Sequence, residues 1–347
     1  MTKKIEIVAE IGCNHGGDPA LAKKMVKIAK DCGVDAVKFQ TFNSELLISR
    51  YAPKAEYQKR NTGEKDSQLE MTRRLELSKQ DLLSLWDYAK SLGLYCFSTP
   101  FDLESVEFLK SVNQHIWKIP AGEVTNLPYL ERIGSFSVPD KKIILSSGMA
   151  TVEELKTCIN ILVRSGTPEK DIIILHCNTE YPSPDEDINL SAIDHLKECF
   201  PNCEIGFSDH SVGEVAAIGA ATKGIVMIEK HFTLDKNMEG PDHKASATPD
   251  ELTALCKGVR RIETMLGVGK KIVTASESRN KIVARKSIVA ARDIKKGEVF
   301  SEENLICKRH GNGISPMRWY DILGKTAEAD FEQDRLIEAS GFDWQGE

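Results

Sequence analysis

Short β-branched runs alternate with longer amphipathic stretches eight times along this chain, and that alternation leaves few folds open. Strand-like runs occupy residues 5–10, 36–40, 95–100, 115–120, 141–147, 171–177, 204–210 and 225–233. Helical patterns fall between them at 19–32, 79–92, 152–164, 190–200 and 213–223, with Gly33 placed to end the first. A last helix is expected after Thr248, a good cap, with Pro249 in its first turn. Strands and helices that alternate in this way build parallel sheets. Eight such units in about 270 residues fit a closed (β/α)8 TIM barrel. The rival, an open doubly wound sheet, is disfavoured because no glycine-rich phosphate turn follows the first strand.

The barrel is expected to take residues 1–270, a polar linker 271–282, and a small β-rich module 283–347. Residues 41–77, after the second strand, are too many for an ordinary βα loop and read as an active-site lid. Apolar residues make up 41% of the 347, enough for a core that needs no disulfide. The nine cysteines form no C-x-x-C pair and point to buried, reduced thiols. A formal net charge of −6 argues against nucleic acid or a membrane surface as partner. With no apolar leader and no run of ~18 apolar residues, the chain is expected to be cytoplasmic.

In a barrel of this kind the chemistry sits where the strands end at their carboxyl side. Here those ends carry Glu10, then Lys38 and Gln40, Ser98 and Thr99, Lys118, Ser146 and Ser147, Asn178 and Thr179, Ser208 to His210, and Glu229 to His231. Lys38, Lys118, Thr99, Ser146 and Ser208 form a donor set suited to a phosphate or carboxylate. His210 and His231, one strand–helix–strand repeat apart, can aim at one metal ion beside Glu10 and Glu229. Two imidazoles would leave that ion open to water and a carbonyl oxygen. His176 reads as a satisfied core residue, His115 and His195 as peripheral, and His15 and His243 as candidate substrate contacts.

With those residues placed, the chain resembles the sialic acid synthase family. The resemblance is carried by residues 9–17 (AEIGCNHGG), 37–42 (VKFQTF), 97–102 (FSTPFD), 117–123 (WKIPAGE) and 175–182 (LHCNTEYP). It continues through 206–211 (GFSDHS), 228–235 (IEKHFTLD) and 240–246 (GPDHKAS). Residues 284–287, 293–297 and 308–315 are similar to that family's antifreeze-like (SAF) domain. The resemblance implies a condensation of phosphoenolpyruvate with an N-acetylated amino sugar, assisted by Mn²⁺, or else Mg²⁺ or Co²⁺, on His210 and His231. It assigns phosphoenolpyruvate to Lys38, Thr99, Lys118, Ser146, Thr179 and Ser208. The amino sugar falls to Glu10, Gln40, Tyr181, Glu229, Asp242 and Arg309, and Glu123 is placed near the metal and the reacting carbons. Glu10, Glu123, His210 and His231 are thereby the expected catalytic residues.

The family resemblance further implies a domain-swapped homodimer in which Arg309 caps the partner's barrel. Two positions depart from the family pattern: Ala121 replaces a serine expected near the phosphate, and His310 replaces the proline after the capping arginine. N-acetylmannosamine is the expected sugar, giving N-acetylneuraminate, because residues 52–58 and 275–287 look closest to that branch. Legionaminate and pseudaminate synthases, which use diacetamido sugars, are the alternative within the family. Outside it, a Schiff-base aldolase using Lys38 or Lys118 would leave the paired histidines without a purpose.

Overall fold

The computed structural model describes residues 4–341. The chain divides into two compact units, Met1–Val268 and Gly269–Glu347. In the first unit, eight strands lie in the order β3-β2-β1-β8-β7-β6-β5-β4, each neighbouring pair running parallel. They are β1 (Glu6–Gly12), β2 (Ala36–Thr41), β3 (Tyr95–Pro100), β4 (Ile116–Ile119), β5 (Lys142–Ser146), β6 (Ile172–His176), β7 (Glu204–Asp209) and β8 (Met227–His231). At the seam between β3 and β4 a side chain replaces the ladder. The Gln114 carboxamide accepts from Ser98 N at 2.8 Å and donates to Ser98 O at 2.9 Å. This is the expected (β/α)8 barrel.

The helices start and stop where local chemistry dictates. Asp18 caps α1 (Pro19–Cys32) by accepting from Ala20 N, and Gly33 ends it at φ 97°, a left-handed conformation that suits glycine. The long excursion after β2 is not irregular: it holds α2 (Ser44–Leu47), α3 (Glu56–Thr62) and α4 (Gln68–Arg73). Then come α5 (Lys79–Ser91), α6 (Leu103–Ser111), α7 (Leu127–Gly134), α8 (Val152–Ser165), α9 (Asp185–Ile188), α10 (Ala192–Cys199) and α11 (Val215–Ala221). Thr248 caps α12 (Pro249–Met265) in a reciprocal arrangement with Glu251. Val26, Leu85, Leu130, Leu162 and Leu255 pack these helices onto the outer face of the sheet, in one continuous core. No helix among the described residues is long and apolar enough to cross a membrane.

The second unit begins with α13 (Ala275–Ala284), followed by β9 (Lys286–Ala290), an antiparallel partner β10 (Leu305–Arg309), and α14 (Trp319–Ile322). Ile288, Phe300, Ile322 and Phe331 are its buried centre. The stretch expected to be a polar linker is thus largely helical. Thr274 and Glu277 cap α13 reciprocally, but no residue of the helix is buried, so the apolar periodicity that reveals other helices is missing. All nine cysteines are free thiols.

Candidate active site

Side chains alternate along a strand, and the inward rows of this barrel change character over one step. Val8, Ala36, Phe97, Ile144 and Met227 form an apolar layer inside it. Two residues further along the same strands stand Glu10, Lys38, Thr99, Ser146 and Glu229; Lys118 and Ser208 follow Ile116 and Gly206 in the same way. All seven polar residues are at most 4% exposed. A dry floor beneath a polar layer makes a site in which charges act through low dielectric.

Two lysines and two glutamates interlock there. Lys38 Nζ lies 2.8 Å from Glu10 Oε2 and 3.6 Å from Glu229 Oε2, and it donates to Thr99 Oγ1 at 3.0 Å. Lys118 Nζ and Ser208 Oγ both donate to Glu229 Oε1, at 3.0 and 3.1 Å. Gln40 Nε2 donates to Glu10 Oε1 at 3.1 Å. Burial pushes Glu10 up to about 7 against the pull of Lys38, with repulsion from Glu229 adding to the rise. Burial would raise Glu229 as well, but Lys118 and Lys38 together hold it well below the usual carboxylate range. The environments separate two like groups into a carboxylate and a carboxyl that exchanges its proton near neutrality.

His210 and His231 meet beside this cluster, with ring centroids 5.4 Å apart and planes at 64°. His210 Nδ1 is 2.5 Å from Asn178 O, and since a carbonyl only accepts, Nδ1 carries the proton. The lone pair is therefore on Nε2, which faces Tyr181 Oη at 3.2 Å and Ser208 Oγ at 3.4 Å. His231 Nδ1 is buried without a hydrogen-bond partner, 3.9 Å from Asp242 Oδ2. Burial pushes His210 down to about 4 and His231 well below its ordinary value. Both rings are thus in the neutral form that ligates metal. A buried nitrogen without a partner on one ring and a hydroxyl-facing lone pair on the other, with the rings 5.4 Å apart, fit a divalent cation. Among the described residues no three His, Cys, Asp or Glu side chains converge on one point, so an ion here would rest on the two imidazoles.

An aromatic stack runs from this pair towards the excursion after β2. Tyr181 stacks on His210 with centroids 4.1 Å apart, and Tyr57 of α3 stacks on Tyr181 at 5.0 Å. Arg60 pairs with Glu180 at 2.5 Å, and Asn61 Nδ2 donates to Pro241 O at 2.6 Å. The excursion is held in shape by Lys54, whose buried ammonium donates to Thr62 Oγ1 and Gly63 O and pairs with Asp66. Asp242 is buried beside Cys13 Sγ at 3.4 Å, and burial pushes its carboxyl up to about 6.

Ten of the expected site residues therefore come together: Glu10, Lys38, Gln40, Thr99, Lys118, Tyr181, Ser208, His210, Glu229 and His231, with Asp242 near the last. Ser146 ends β5 on the same inner face, and Thr179 is half-buried on the loop after β6. A Cβ on Gly148 would lie 2.6 Å from Thr179 Cγ2 and 3.3 Å from the Ala121 methyl, so this wall is tightly closed where the family serine is missing. The half-buried Glu123 accepts from Asn126 Nδ2 at 2.5 Å rather than from the lysine cluster, and burial raises its carboxyl. Arg309 is exposed at the end of β10 in the second unit.

The remaining histidines have structural partners. His176 Nε2 bonds Ile188 O at 2.8 Å, His243 Nδ1 bonds Thr233 Oγ1 at 2.7 Å, and His15 Nδ1 accepts from Gly17 N at 3.0 Å. Three contributors escaped the sequence reading: Tyr57, the carbonyl of Asn178, and the Asp209–Lys230 pair behind the histidines. Tyr57 lies far along the chain from its partner, and no pattern marks a backbone carbonyl. Asp209 and Lys230 stand at strand ends in the sequence, but alternation turns them to the outer side, away from the inward-facing site row.

The NeuB family matches residues 25–271, and the SAF domain matches residues 285–343. The chain belongs to the NeuB family. This NeuB-family chain is 48% identical to the N,N'-diacetyllegionaminic acid synthase of Campylobacter jejuni, over 96% of its own length and 99% of that protein's. It is 33% identical to the human N-acetylneuraminate-9-phosphate synthase, over 95% of its length and 90% of that protein's. The crystal structure of the sialic acid synthetase of Leptospira borgpetersenii, in complex with citrate, superposes with a TM-score of 0.69 at 33% identity. That likeness covers 80% of this chain and 90% of the other.

Proposed function

We propose that this NeuB-family protein condenses phosphoenolpyruvate with the open-chain form of an N-acetylated amino sugar and water, giving a nine-carbon sugar acid and phosphate. The observation that carries the reading is the buried Lys38–Glu10–Glu229–Lys118 cluster lying against two neutral histidines. Lys38, Lys118, Thr99, Ser146, Thr179 and Ser208 would receive the phosphate and carboxylate of phosphoenolpyruvate, replacing their present bonds to the glutamates. Because these donors are fixed before the reactants arrive, little reorganisation opposes the charge that moves during reaction. His210 and His231 would hold a divalent ion, Mn²⁺ in this reading, which when bound supplies Lewis acidity towards a carbonyl oxygen.

The enol carbon of phosphoenolpyruvate attacks the sugar aldehyde; the C=O π bond opens and its oxygen takes a proton from solvent to become a hydroxyl, while C2 of the former enol becomes electron-poor. Water adds at C2 and loses a proton to Glu10, whose value near 7 suits a base at neutral pH. Breaking the C2–O bond then releases phosphate, and Lys118 and the hydroxyl donors neutralise the leaving charge. Gln40, Tyr181 and Asp242 would orient the sugar so that both carbons meet in line. Glu123, outside the lysine cluster, is kept as a candidate contact at the mouth.

For the sugar, identity of 48% to a diacetyllegionaminic acid synthase against 33% to the N-acetylneuraminate-9-phosphate synthase supports a diacetamido substrate. N-acetylmannosamine, the sugar to which residues 52–58 and 275–287 point, is the second reading. Phosphate release can be followed with phosphoenolpyruvate, Mn²⁺ and each of three sugars: the diacetamido sugar, N-acetylmannosamine and its 6-phosphate. The diacetamido sugar is expected to give the highest kcat/KM. Turnover with none of them would overturn the function, and a preference for N-acetylmannosamine would reverse the choice of sugar.

A further inference from the structure

Behind the two histidines lies an ion pair that the proposed chemistry does not use. Phe207 and Ile228 face the helices, and alternation puts Asp209 and Lys230 on that same outer side of the barrel. Both are 0% exposed, and Lys230 Nζ lies 2.9 Å from Asp209 Oδ2. The ammonium also donates to Ser211 O at 2.5 Å, while Asp209 Oδ1 accepts from Ser211 N at 2.9 Å and Ser211 Oγ at 2.6 Å.

The place of this network matters more than its strength. Asp209 opposite Lys230 is the last register pair between β7 and β8. His210 follows immediately, where the ladder has ended, and His231 is the last residue of β8. Beyond that point no β7–β8 pairing links the two rings: His231 is held by β1, opposite Glu10, and the His210 carbonyl accepts from Ser183 N at 2.9 Å, so neither bond fixes one ring against the other. The ion pair ties the strands one residue before each ring, and its bonds to Ser211 hold the turn on the far side of His210. A pair so completely buried recovers little more than its desolvation cost, and apolar side chains of like volume would hold a sheet as well.

We propose that Asp209 and Lys230 are positioning residues that set the separation and aim of His210 and His231 for a divalent cation. The inference rests on the two-imidazole site proposed above. Its test is Mn²⁺ titration of metal-stripped, full-length protein, with free Mn²⁺ read by electron paramagnetic resonance and Tm measured alongside. Parent protein that binds no Mn²⁺ would overturn the two-imidazole reading together with this one. If the parent binds, Lys230→Met alone strands a buried carboxylate and is expected to lower Tm. Adding Asp209→Asn removes that charge and should return Tm towards the parent value. Mn²⁺ affinity in the double variant is nevertheless expected to stay roughly tenfold or more below the parent. Recovery of parent Mn²⁺ affinity together with Tm would show a merely structural pair and overturn the inference alone. Should the double variant not fold, Ser211→Ala removes one hydroxyl bond to Asp209 and carries the same comparison. Roughly threefold weaker Mn²⁺ binding by the folded variant supports positioning, and an unchanged Kd overturns it whatever happens to Tm.

Discussion

Glu10 and Glu229 are the same residue type in the same buried cluster, yet they titrate far apart because Glu229 faces two ammonium groups at short range and Glu10 chiefly one. That difference has a consequence for stability. Burial raises Glu10 to about 7 from an ordinary 4.5, so the folded chain holds this proton more tightly than the unfolded chain does. The stabilisation linked to it is complete below the unfolded value and is lost as pH rises through the folded one. Replacing the group by Glu10→Gln removes the titration while keeping a hydrogen-bonding side chain. Thermal melts of metal-stripped protein at pH 5 and pH 8 should therefore show a larger fall in Tm for the parent than for the variant. Equal falls would mean that Glu10 titrates at its ordinary value.

Among elements, the excursion after β2 shows where long-range contact outruns sequence pattern. Its length is the ground for reading it as a lid, and its capping signals, such as Ser67 with Glu70 on α4, are legible in the sequence. Its target was not, because Tyr57 reaches Tyr181 only once the barrel has closed. The eight strands and their polar ends were legible for the opposite reason: a period of two and a dry layer two residues below are local properties. Hence Lys38, Lys118, His210 and His231 could be placed from sequence, whereas the Asn178 carbonyl that sets the His210 tautomer could not. The helix α13 stayed hidden because it buries nothing and so leaves no apolar stripe. For the lid, removing the Tyr57–Tyr181 stack forfeits about 0.5–1.5 kcal/mol. Since Tyr181 is proposed to face the sugar, Tyr57→Ala is expected to raise the sugar KM roughly two- to tenfold. The KM for phosphoenolpyruvate should move little, and Tyr57→Phe should behave as the parent. Steady-state kinetics with each substrate varied in turn would separate this from general damage to the barrel, which would raise both values.

At the scale of the whole molecule, the residues expected from the family resemblance to form the site are divided unequally between two units with separate cores. All but one belong to the barrel; Arg309, exposed on β10, belongs to the second unit. We propose, from the family resemblance, that this arginine serves the barrel of a partner chain in a swapped homodimer. Symmetry makes the proposal testable without knowing the interface, because a closed dimer carries two equivalent sites. A protomer with Arg309→Ala retains an intact barrel, and one with His231→Ala retains an intact arginine. In a swapped heterodimer of the two, one site combines the intact barrel with the intact arginine, and the other site combines both lesions. Heterodimers isolated through two different affinity tags should thus recover about half of the parent turnover, although each variant alone has lost most of it. If the arginine instead serves its own chain, every site carries one lesion and mixing restores nothing. Turnover no greater than the mean of the two variants measured alone would remove the swap, and would leave the barrel chemistry to be judged on the lysine–glutamate cluster and its histidines.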